Sequence, residues 1–144
     1  MAEKIKILFL CTGNSCRSQM AEGWTRALRG DVIEAYSAGI ETHGMNQKAV
    51  KMMAEAGVDI SLHTSKNLNI VKDINFDWVV TVCDNANESC PVFPFKVKRF
   101  HISFDDPPKL AKNANNEDEV LYHYRRVRDE IKNFVQRLPG VLEK

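Results

Sequence analysis

The chain of 144 residues contains no long apolar run. Nothing in it approaches the ~20 consecutive apolar residues needed to cross a bilayer. The stretch Ile7 to Leu10 is interrupted at once by Cys11, Thr12, Gly13 and Asn14. It is shorter than the ~7–15-residue core of a signal peptide, and no small-residue cleavage site follows. A cytoplasmic protein without a membrane partner is expected. Excess charge of one sign is missing as well: 20 Lys plus Arg face 19 Asp plus Glu, a net charge of +1. Such a chain has no long-range field with which to recruit nucleic acid. The seven glycines form no dinucleotide fingerprint, and no Gly-Lys-Ser/Thr closes a Walker loop. No bound organic cofactor is expected. Repeats, linkers and low-complexity segments are absent, and at ~100–200 residues per domain the length predicts one domain over 1–144, read as a monomer.

Cysteine is sparse, with four in all: Cys11, Cys16, Cys83 and Cys90. In a reducing compartment these are catalytic or metal-binding more often than a disulfide framework. Intervals of four and six residues within the two pairs, with no histidine at ligand spacing, argue against zinc. No metal site is predicted.

Ile5 and Ile7 to Leu10 form the near-continuous apolar run of a strand buried on both faces of a parallel sheet. A helix follows with Met20, Ala21, Trp24, Ala27 and Leu28 at helical spacing, and Gly30 is read as its stop. Val32 to Tyr36 predict a second strand, and Asn46 caps a helix closed by Gly57. A polar stretch from Ser61 to Asp73 reads as a loop with a helical turn. Phe76 to Val82 predict a third strand ending at Cys83, and 84–96 a long loop. Val97 to Ile102 predict a fourth strand, and Pro108 to Asn116 a solvated surface loop. Asn116 with Glu119 reads as a capping box for a last helix whose stripe runs from Val120 to Leu138. Strands alternating with helices predict an α/β fold: a doubly wound, four-stranded parallel sheet flanked by helices. Ligands in such folds bind beyond the carboxyl ends of the strands, where Cys11, Cys83 and Asp106 all fall.

The segment Cys11-Thr12-Gly13-Asn14-Ser15-Cys16-Arg17-Ser18 joins a strand to a helix. Consecutive backbone N–H groups in such a loop can cradle a tetrahedral oxyanion, with Gly13 read as the residue that permits unusual dihedrals. A helix starting near Ser15 adds its positive end, and Arg17 a planar fork for two anion oxygens. The same surroundings favour a Cys11 thiolate, to which Ser18 can donate. Asp106-Pro107 suits a general acid on a loop. An Asp-Pro pair is also an ordinary turn, and Asp105 competes for the role. Cys83 and Cys90 add two thiols able to give up two electrons, with Asp84 to Ser89 keeping the intervening segment solvated. Their plain reading is a buried strand-end cysteine and a stray loop thiol.

On these residues the sequence resembles the thioredoxin-coupled arsenate reductases, which share the fold of the low-molecular-weight protein tyrosine phosphatases. The resemblance runs through Cys11 to Trp24, Tyr36 to Gly44, Val79 to Cys83, Cys90-Pro91, Phe104 to Pro107 and Arg126 to Ile131. It implies arsenate as substrate, Cys11 as nucleophile, Asp106 as acid, and a disulfide that passes through Cys83 to Cys90 before thioredoxin reduces it. Such an activity serves arsenic detoxification. It implies no role for the Cys16 side chain. Some relatives hold a monovalent cation through oxygens matching Asn14, Glu22 and Ser37. Here Lys66 follows Thr64-Ser65, which suggests an internal ammonium in the cation's place, with Glu22 as its counter-charge.

Two other readings compete. A phosphatase acting on phosphotyrosine shares the loop and the acid, and weak phosphatase activity follows from that common chemistry. Relatives of that type usually carry aromatic residues after Asp-Pro, where this chain has Pro108 and Lys109. The other is a non-catalytic oxyanion sensor or redox switch. The cluster Arg125, Arg126 and Arg128, beside Asp129 and Glu130, reads as a solvated salt-bridged face, with Arg126 or Arg128 a possible docking point for a partner.

Overall fold

The computed structural model describes residues 3–83 and 96–143. Its centre is a parallel sheet of β1 (Ile5–Cys11), β2 (Ile33–Gly39), β3 (Trp78–Thr81) and β4 (Lys98–His101), in spatial order β2-β1-β3-β4. Leu8 and Leu10 enter one apolar cluster, Ile7 and Phe9 the other, and all four are fully buried. That two-sided burial explains why β1 shows no polar alternation. The pairing sets Cys11 opposite Gly39 and Leu10 opposite Thr81. The chain runs outward from β1 to β2, then returns to β3 on the other side, so the ends of β1 and β3 flank the crevice where the winding reverses.

Helices cover both faces. α1 (Arg17–Arg29), α2 (Gln47–Glu55) and α5 (Glu117–Gln136) pack on the larger cluster, through Met20, Trp24, Met53, Val127 and Ile131 among others. The four-residue α3 (Leu68–Val71) covers the smaller cluster with Val71. A five-residue α4 (Pro107–Ala111) precedes α5, and Gly140–Glu143 make a closing 3-10 turn. Among the described residues no helix is long and apolar enough to cross a membrane.

The helix ends follow local chemistry. Asn46 Oδ1 accepts from the N–H groups of Lys48 and Ala49 at 2.9 and 3.1 Å. Asn116 Oδ1 accepts from Glu119 N–H at 2.9 Å, while Glu119 reaches back to Asn115 instead of Asn116, one residue outside the expected box. Gly57 adopts φ 90° just past α2, as its stop requires. Gly30 stands at the end of α1 as expected but keeps helical dihedrals with φ −63°, and the chain leaves the helix where Val32 N–H turns back to Arg29 O at 3.1 Å. The predicted surface loop from Pro108 also needs correction, since Pro107 to Ala111 are helical. Proline at the first helical position has its φ preset and loses no bond by lacking an N–H. The loop predicted over 84–96 lies outside the described residues, apart from Lys96.

Candidate active site

The segment from Cys11 to Arg17 bridges β1 and α1, and nearly every carbonyl in it is claimed from outside. Thr12 O accepts from Glu41 N–H at 3.2 Å, Gly13 O from His43 N–H at 3.2 Å, and Ser15 O from Asn46 N–H at 3.0 Å. Asn14 O accepts from Gln19 Nε2 at 3.2 Å, and Cys16 O from Met20 N–H at 2.9 Å. In a trans peptide the N–H points opposite to the carbonyl. The N–H groups of residues 13 to 17 therefore face away from the partners of those carbonyls, beside the start of α1.

One residue of this loop has left-handed backbone, and it is Asn14 (φ 48°), not Gly13. Asparagine tolerates that region better than most residues, and here its side chain is fully bonded. Its Oδ1 accepts from Lys66 N–H at 2.7 Å and from Gln19 Nε2 at 2.9 Å. At Gly13 the question is one of space instead, since a methyl group there would meet the His43 ring, a half-exposed side chain that can swing aside.

Cys11 lies buried at the floor of the loop, with Sγ 2.9 Å from Ser18 Oγ. Asn14 Nδ2 donates to the same Ser18 oxygen at 2.9 Å. The serine accepts from the amide, and its own hydrogen is free to be donated to the sulfur. A cleft of about 460 Å³ opens above Cys11, lined by Thr12, Gly13, Ser15, Cys16 and Arg17 from the loop, and by Asp106. Arg17 is buried, donates from Nη1 to Phe104 O at 3.0 Å, and places Nη2 3.8 Å from Asp106 Oδ1. Asp106 is 31% exposed and faces the cleft, whereas Asp105 turns outward to Arg126 at 2.8 Å. Burial, and then the charge of Asp106, push the Cys16 thiol far above its ordinary range. It stays protonated beside Cys11.

Cys83 is fully buried two residues past β3, and the Val82 N–H bond to Leu10 O at 3.1 Å holds that strand end against β1. Cys83 is disulfide-bonded, while Cys11 and Cys16 are both free. Cys90 lies outside the described residues.

Behind the loop sits Glu22, 2% exposed. Ser37 Oγ donates to its Oε1 at 2.6 Å, and Arg26 lies 3.1 Å from its Oε2. His63 Nδ1 and Lys66 Nζ stand 3.5 and 3.9 Å from the carboxylate. Burial lowers the pKa of both His63 and Lys66, and Glu22 opposes that shift in each. Asn14 does not touch the carboxylate and joins this group through Lys66 N–H and through Gln19, whose Oε1 is 3.1 Å from His63 Nδ1.

His43, Asn46 and Pro108 complete the cleft and were not singled out as site residues from the sequence. Only the capping role of Asn46 had a local signal. The place of His43 and Asn46 at the site depends on hydrogen bonds to a loop some 30 residues earlier in the chain.

The sequence pattern of the low molecular weight phosphotyrosine protein phosphatases matches residues 6–144. The chain belongs to this family. Within the family it is similar to an arsenate reductase of Bacillus subtilis (strain 168), 53% identical over 92% of this chain and 93% of the relative. An arsenate reductase of Bacillus licheniformis is 52% identical over 93% of this chain and 94% of its own length. Among solved structures, arsenate reductase from Archaeoglobus fulgidus superposes with a TM-score of 0.69 at 31% identity, covering 93% of this chain and 98% of that one.

Proposed function

We propose that this enzyme reduces arsenate to arsenite by a relay of Cys11, Cys83 and Cys90, with thioredoxin as electron donor. The observation that carries the reading is Cys11 Sγ, 2.9 Å from Ser18 Oγ, on the floor of a cleft that also holds Arg17 and Asp106. Arsenate occupies the cleft, its charge met by the loop N–H groups and Arg17. The Cys11 thiolate, bonded by Ser18, forms a bond to arsenic while Asp106 protonates the departing oxygen, which leaves as water. The Cys83 thiolate then attacks the Cys11 sulfur. The As–S bond breaks, its electron pair stays with arsenic, and arsenite leaves as a Cys11–Cys83 disulfide forms. Cys90 attacks Cys83, frees Cys11 and carries the disulfide to Cys83–Cys90. A thioredoxin dithiol takes up that disulfide, so two electrons enter for each arsenate reduced.

The relay needs no bound cofactor, and the acceptors around Glu22 do not fit an added cation. Arg26, His63 and Lys66 already surround that carboxylate. Turnover is expected to be the same in potassium and sodium salts at equal ionic strength, and several-fold activation by potassium would reject this reading. The decisive assay follows arsenate-dependent NADPH consumption with thioredoxin and thioredoxin reductase. Multiple turnovers that vanish in Cys83→Ser are expected. No consumption, with phosphate-ester hydrolysis that survives the mutation, would instead make the protein a phosphatase.

A further inference from the structure

Asp106 can act as an acid only if its short loop holds it over the cleft; Phe104, buried against Phe134, anchors that loop to the core but does not by itself set which of the next two carboxylates faces inward. Residues 102 to 106 form no regular element, and α4 after them is only five residues long. From the cleft side, Arg17 Nη1 grips Phe104 O at 3.0 Å. From the opposite side, Arg126 Nη2 donates to Asp105 Oδ2 at 2.8 Å, and Arg126 Nη1 donates to Glu130 Oε2 at 2.9 Å. Arg126 is carried by α5, which the buried Val127 and Ile131 fix to the core. Asp106 has extended dihedrals, φ −91° and ψ 105°, and neighbouring side chains of an extended segment point to opposite sides. A carboxylate at 105 drawn outward to α5 therefore turns the carboxylate at 106 inward.

We infer that Arg126 is a positioning residue for the reduction step, acting through its ion pair with Asp105 to aim Asp106 at the substrate. This rests on the assignment of Asp106 as the acid. It also replaces the view of Arg126 as a solvated charge or a docking point. Exposed ion pairs such as those of Arg126 with Asp105 and Glu130 contribute little to stability, so the effect belongs in the chemical step and not in the fold.

The test is the single-turnover rate of arsenite release from pre-reduced full-length enzyme at saturating arsenate, which excludes the thioredoxin step. Arg126→Gln and Asp105→Asn are each expected to slow it about tenfold, the double variant no further, and the urea midpoint to stay near wild type. Arg125→Gln, on the same helix but paired with Glu55, should leave the rate unchanged. In an Asp106→Asn background, Arg126→Gln should cause no additional loss. A wild-type rate in Arg126→Gln, or a loss that persists undiminished in the Asp106→Asn background, would overturn the inference while leaving Asp106 as the acid. An Asp106→Asn variant that released arsenite at the wild-type rate would remove the acid assignment, and the inference with it.

Discussion

At the scale of single residues, the loop depends on two positions that do opposite things. Asn14 accepts a left-handed backbone because its side chain has three partners to hold. Gly39 matters for contact alone: a methyl group there would stand 2.6 Å from Thr12 O and 2.9 Å from Asn14 N. Both are backbone atoms of the loop and cannot swing away. Gly39→Ala is expected to cost about 1–3 kcal/mol, as overpacking commonly does, and to abolish arsenate turnover. Gly13→Ala meets only the half-exposed His43 ring, so its urea midpoint should stay near wild type. Equal losses in the two would refute the distinction. Cys16 offers a third residue-scale test. Its thiol is buried and kept protonated, so Cys16→Ser is expected to retain turnover in the coupled assay. Loss of turnover there would mean that the relay has been assigned to the wrong sulfurs.

At the scale of elements, the stretch between β2 and α2 does more than connect them. Three of its N–H groups, from Glu41, His43 and Asn46, bond to loop carbonyls, and so decide which way the loop N–H groups face. Asn46 closes the stretch in three ways. It caps α2, donates from Nδ2 to Tyr124 Oη at 3.0 Å, and lines the cleft. Burial raises the Tyr124 pKa to about 12, so the phenol stays neutral at its end of that bond. Asn46→Ala should lose the ~1 kcal/mol of a helix cap and also raise KM for arsenate several-fold. Asn116→Ala removes a cap of the same kind from a residue that does not line the cleft and should lower stability alike with KM unchanged. A similar KM in both variants would show that Asn46 serves α2 only.

For the whole molecule, α2 and α5 are joined at the surface by Glu55. Arg125 and Arg128 donate to it at 2.8 and 2.7 Å. Arg128, proposed as a docking point, is buried and also bonds Met52 O at 3.0 Å, which makes it part of this junction. The bonds from Arg125 and then Arg128 hold Glu55 down to about 2, against ~4.3 in an unfolded chain. Between those values the unfolded state binds the proton and the folded state does not, so stability falls as pH falls through the window. The stability advantage of wild type over Glu55→Gln should be full at pH 6 and shrink steadily below pH 4.5. An advantage independent of pH would exclude the ion pairs as its source.

Contiguous stretches of sequence determined the four strands, the long last helix and the cysteine loop. β1 was legible because burial on both faces leaves an unbroken apolar run, and the loop because its cysteine, glycine and arginine fall within eight successive residues from Cys11 to Ser18. The choice between Asp105 and Asp106 was open in the residues themselves, since either could serve as an acid. Packing separated them, by giving one carboxylate to Arg126 and the other to the cleft. His43 and Asn46 at the mouth, the left-handed turn at Asn14 and the approach of Arg26 and His63 to Glu22 likewise came only from tertiary structure, whereas the pairing of Lys66 with Glu22 was expected from the sequence. Each depends on partners distant in the chain, and a local pattern carries no record of which distant groups the fold will bring within hydrogen-bonding reach.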